Sequence, residues 1–124
     1  MTNNDILRRL RYAFDLNDGQ MAKSIANTGA ELNAAEVKRW LSREEEDGFL
    51  ELSDAGLCRF LDGFIIEKRG PHPSGSIPEP LEFISTNEVL KKLRIALAMR
   101  EEDVLEVFER AEFVVTKAEL GSFF

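Results

Sequence analysis

Cysteine, histidine, tryptophan and tyrosine each occur once in these 124 residues. A lone cysteine, Cys58, excludes any disulfide within the chain and suits a reducing compartment. One histidine and one cysteine fall short of a usual zinc set, which draws three or four ligands from His, Cys and carboxylates at suitable spacing. No stretch approaches the roughly 18 uninterrupted apolar residues that a membrane span requires. The opening Met-Thr-Asn-Asn-Asp lacks the basic-then-apolar order of a signal peptide. Proline is confined to one place, since all four lie between Pro71 and Pro80. The formal net charge of −7 sets the chain against a polyanionic partner. These absences lead to the expectation of a cytoplasmic protein with no cofactor, no metal and no membrane contact.

What is present is an ordinary globular balance, 44% apolar and 31% charged residues, enough for one domain or two very small ones. It also contains a repetition. "NDILRRLRYA" begins at Asn4 and "NEVLKKLRIA" at Asn87, with five of the ten positions identical. A shift of 83 residues aligns 4–41 with 87–124 without a gap, so that Ile25 meets Phe108, Leu32 meets Val115, Val37 meets Leu120 and Trp40 meets Phe123.

Turn chemistry repeats in the same register. Unpaired N–H groups at a helix start are satisfied by a Ser, Thr or Asn cap with a Glu, Gln or Asp three residues on. Thr2 with Asp5 matches Ser85 with Glu88, and Asn33 with Glu36 matches Thr116 with Glu119, while Asn17 with Gln20 occurs in the first copy alone. Shared apolar rhythm and shared caps together point to duplication.

The first copy reads as four helices near 3–16, 18–28, 34–45 and 54–68. Their inward stripes are Ile6, Leu7, Leu10, Ala13 and Phe14; Met21, Ala22, Ile25 and Ala26; Val37, Trp40 and Leu41; and Leu57, Phe60, Leu61, Phe64 and Ile65. Gly29 is a stop, and a turn at Asp47-Gly48 leads to Phe49 and Leu52, which pin an irregular link. "GPHPSGSIPEP" cannot continue a helix and reads as a linker. The second copy repeats helices near 86–99 and 101–111, and a third opens at Thr116. The expectation is an all-α protein of two tandem small helical modules: a four-helix module over 1–70, a Pro/Gly/Ser linker over 71–84, and a second module over 85–124 that is incomplete at its C-terminus, since a full copy would run to about residue 153.

These blocks, the "EEEDGF" after "RWL", and "GFIIEKRG" before a Pro/Ser linker resemble the YehS-like bacterial family known as domain of unknown function 1456. The resemblance covers the whole chain, and "VLKKLRIA" after such a linker is its most specific part. It implies tandem copies of one small helical module and supplies no catalytic residue.

Each candidate site also has a plain structural role. Cys58, on an apolar helix face, reads as a small core residue. "REEEDG", from Arg43 to Gly48, places four consecutive carboxylates at the end of the third helix. A calcium loop would alternate its acids, so this run reads as a solvated acidic face. Residues 31–54 hold eight acidic and three basic residues, a charge that would attract a basic partner. Arg8, Arg9 and Arg11 recur as Lys91, Lys92 and Arg94. These strips flank the core and pair with neighbours such as Asp15 or Glu88, and the identical Arg11 and Arg94 suit a fixed inter-helix salt bridge.

The segment 20–43 has the look of a helix-turn-helix, with Lys38, Arg39 and Arg43 on its second helix. Against DNA binding stand a long turn, the acidic run that follows, and Gly121 and Ser122 opposite the basic pair in the second copy. The expectation is therefore a non-enzymatic protein-interaction or regulatory module, with a DNA- or RNA-binding regulator as the alternative. Apolar residues of the second copy, Phe123 and Phe124 among them, would serve self-association or a protein partner.

Overall fold

The structure, a computed structural model, describes residues 2–31, 34–98 and 106. Among them are five α-helices and no strand: α1 Asn3–Ala13, α2 Asp18–Ala26, α3 Ala34–Leu41, α4 Asp54–Arg69 and α5 Thr86–Leu97. Apart from Glu106, which is helical, the expected second and third helices of the second copy lie outside the described residues.

Three helix starts form where capping signals stand, while Asn33, expected to cap the third helix, lies outside the described residues. Thr2 accepts from the Asp5 N–H at 3.1 Å while Asp5 accepts from the Thr2 N–H at 3.0 Å. Asn17 and Gln20 make the same reciprocal pair at 2.8 Å both ways, and Ser85 accepts from the Glu88 N–H. A further cap, Ser53 accepting from Gly56, lacks the acidic partner that makes such a site visible in sequence. The exits of α1 and α5 also match. Asp15 and Ala98 are the non-glycine residues with positive φ among those described, at 50° and 49°, and they stand at equivalent positions of the repeat.

Two helix ends depart from expectation. The first helix stops at Ala13 rather than 16. The third stops at Leu41, because its last carbonyls are captured from outside: Asn4 Nδ2 donates to Trp40 O at 2.9 Å, Arg8 to Ser42 O at 2.8 Å, and the Leu50 N–H to Arg39 O at 3.2 Å. The acidic run 44–47 accordingly occupies exposed turns after α3 and not its last turn.

The buried cluster runs through all five helices: Leu7 and Leu10; Met21 and Ile25; Val37; Leu57, Phe60, Leu61 and Phe64; and Val89, Leu90, Leu93 and Ala96, joined by Leu52 from the link. Ile6, Phe14, Ala22, Trp40, Leu41 and Ile65 pack around it half-buried, whereas Ala26, expected inward, is exposed. Helix α4 is the axis of the assembly. Residues 60–64 are buried without interruption, the pattern of a helix covered on more than one side, and α2 and α5 are the helices packed most closely on it. Phe64 stacks with Phe60 and meets Phe14 at a tilt, ring centroids 5.8 and 5.2 Å apart, under the Lys68 ammonium.

The approach of α2 to α4 depends on a glycine. A Cβ built on Gly63 would lie 1.6 Å from Ser24 O, so any side chain there would push the helices apart. Asn27 then spans the gap, donating to Gly63 O at 3.2 Å and Glu67 Oε2 at 2.9 Å.

Candidate functional site

The helices α4 and α5 run in the same direction. The Ile84 N–H, just before α5, donates to Asp54 Oδ2 at the start of α4 at 3.0 Å, and Lys92 Nζ, midway along α5, meets Asp62 Oδ1, midway along α4, at 2.5 Å. Two parallel helices adjacent in sequence need a return path as long as the first of them. Helix α4, with 16 residues, is about 24 Å long. The segment 70–85 supplies that path, and its prolines keep it from folding into a helix on the way.

Residues 70–79 are exposed. Contact with α4 is regained near its end, where the Leu81 N–H donates to Cys58 Sγ at 3.4 Å and Ile84 reaches Asp54. Asn3 donates to the other Asp54 oxygen at 2.6 Å. These two donors, Asn3 first and then the Ile84 amide, hold the Asp54 carboxyl below its ordinary value of 3.8.

Val89, Leu90, Leu93 and Ala96 are buried on α5, and Lys92 lies in the same docked helix. Its side chain is 16% exposed and that of Asp62 4%. Asp62 also accepts from the Cys58 thiol, Sγ to Oδ2 3.4 Å. Cys58, Asp62, Lys92 and the Leu81 amide thus form one polar cluster inside the α4–α5 contact. Burial pushes the Cys58 thiol upward, which keeps it protonated and unreactive while it is covered.

A second polar centre lies under α1. Asn4 is 2% exposed, donates to Trp40 O and Leu50 O at 2.9 Å each, and accepts from the Leu52 N–H at 3.0 Å. This one amide ties α1 to the end of α3 and to the link before α4. It is saturated by the protein itself.

The residues singled out in the sequence are dispersed. Arg11 bridges α1 to α2 through Asp18 at 3.4 Å and donates to Leu16 O at 3.2 Å. Arg8 pairs with Asp5; Asp15 is not a partner of either arginine in these contacts. Arg94 is on α5, and like Lys38, Arg39 and Arg43 it is exposed. Arg39 donates to Gly48 O at 2.9 Å, and the Arg43 amide to Glu46 at 3.1 Å. Phe123 and Phe124 lie outside the described residues. His72 bonds Ser74 at 2.7 Å in the exposed linker, and no group of three or more His, Cys, Asp or Glu among the described residues could hold a metal ion. None of the described helices is long and apolar enough to cross a membrane.

Sequence reasoning passed over Asn4, and over Cys58, Asp62 and Lys92 as a coupled set. Asp62 had a signal, an acid amid the apolar run of α4, and the repeat marked Lys92 as equivalent to Arg9.

A family model described as "Protein of unknown function (DUF1456)" matches residues 3–70 and 86–124. The chain is 38% identical over 120 residues to the uncharacterised protein YehS of Escherichia coli (strain K12), covering 97% of this chain and 77% of that one. No solved structure matches it.

Proposed function

The chain belongs to the DUF1456 family, and from that premise we propose that it is a non-enzymatic protein-interaction or regulatory module whose docking surface is the face of α4 now covered by α5. The observation that carries this reading is the α4–α5 contact. A helix lies on α4 through apolar side chains and one ion pair, at the end of an exposed tether, much as an amphipathic segment lies in a partner's groove. The buried polar groups Asn4 and Asp62 are engaged in holding elements together, which supports a structural and docking role over a chemical one. Two copies of one helical module, the cytoplasm and self-association belong to the same reading. The matching caps and left-handed exits of α1 and α5 support the duplication.

Light scattering across a micromolar concentration series, beside titration of generic duplex DNA at low and rising salt, tests it. Concentration-dependent association without DNA binding is the expected result. A strict monomer that binds DNA, and releases it steeply as salt rises, would transfer the assignment to a nucleic-acid regulator using Lys38, Arg39 and Arg43.

A further inference from the structure

We infer that α5, with the segment before it, is a detachable cover over α4, latched by Asp62 and Lys92, and that opening the latch uncovers Cys58 and the docking face together. This rests on the docking reading above and names how that face is regulated.

Three observations converge on it. The main contact of α5 among the described elements is α4, so releasing α5 leaves the α2–α4 approach at Gly63 and the Asn4 ties in place. The tether allows release: residues 70–79 are exposed, and a chain of the length of 70–85 reaches about 50 Å when extended, about twice what the return along α4 requires. The contact is also held in part by a buried ion pair. An apolar pair of similar volume would close such a contact at least as firmly, because two buried charges forfeit their hydration. A buried pair favours one arrangement over others and gives water a foothold when the helices part.

Asp62 couples the latch to the thiol. One of its oxygens meets Lys92 and the other the Cys58 thiol, while Leu81, on the moving segment, donates to the sulfur. When α5 and this segment lift, Cys58 loses the Leu81 contact, Asp62 loses its cation, and the side of α4 that carries them loses its cover. Segments of this kind open below the cost of global unfolding.

Alkylation of Cys58 by iodoacetamide in the full chain, followed by mass, reads the opening directly. The native protein labels slowly. Lys92→Ala labels faster by about tenfold or more, the factor that loss of a charged hydrogen bond makes in an opening equilibrium. Lys91→Ala, on the exposed neighbour, leaves the rate unchanged. Asp62→Leu with Lys92→Met closes the contact and slows labelling. Labelling of the native chain depends on urea more weakly than global unfolding does, since less surface is exposed. Equal rates for the native chain and Lys92→Ala, or a urea dependence equal to that of unfolding in every folded variant, overturn the cover. Light scattering of Lys92→Ala then separates the two ideas: fast labelling without association keeps the cover and refutes the docking reading.

Discussion

Gly63 of α4 and the Ser24 carbonyl of α2 approach so closely that a Cβ on the glycine would lie 1.6 Å from that oxygen. Alanine normally improves a helix interior by about 1 kcal/mol over glycine. Here the obstructing atom belongs to backbone, and relief requires α2 to move away from the Phe60–Phe64 side of α4. Gly63→Ala should cost at least about 2 kcal/mol, as overpacked cores do, read as a lower urea midpoint. A gain in stability would show that the two helices do not meet at that distance.

Asn4 should prove the most sensitive polar residue of the chain. Asn4→Ala removes its bonds to two carbonyls and one amide, and unsatisfied buried groups cost about 1–3 kcal/mol each before water enters. A net loss of about 2–4 kcal/mol is expected in chemical denaturation. Asn4→Asp retains an acceptor for Leu52 but faces Trp40 O and Leu50 O with oxygen, so it should not rescue stability. Full rescue by aspartate would contradict the donor role.

Trp40 is half-buried against the core rather than enclosed. Trp40→Ala should therefore fall short of the 3–5 kcal/mol of a fully buried aromatic and cost roughly 1.5–3 kcal/mol. The native fluorescence maximum should be intermediate. A maximum equal to that of the denatured chain would place the indole in water.

Acid should weaken the fold through three carboxylates. Asp54 is held low by Asn3 and the Ile84 amide, Asp5 by its cap with Thr2, and Glu67 by Asn27 and Lys23. A depressed folded value means that the unfolded chain binds the proton more readily. The contribution is present above the ordinary values of 3.8 and 4.5 and disappears as pH falls through the lowered ones. Stability should decline below about pH 4, and carboxyl carbon NMR should show Asn3→Ala returning Asp54 toward its ordinary value. Titration of Asp54 at that value in the native chain would remove it from the account.

The sequence by itself determined where helices begin and most of the residues that line them, Ala26 excepted. Caps, apolar spacing and the confinement of proline to 71–80 act within a few residues of themselves, and Thr2, Asn17 and Ser85 cap where their neighbours indicate. The resemblance of α1 to α5 was likewise legible, although their equivalent left-handed exits at Asp15 and Ala98, which fall inside the helices expected over 3–16 and 86–99, were not. Tertiary structure alone decided what α4 receives on each side. Its middle is apolar nearly all round, so periodicity cannot say that α2 closes on Gly63 and α5 on Asp62, nor that α5 runs parallel to α4 over a returning linker. The end of α3 at Leu41 was also decided at a distance, by Asn4 and Arg8 from α1. Hydrogen bonds and ion pairs between residues 30 or more apart in sequence leave no local pattern; they exist only when the packed helices bring both partners out of water together.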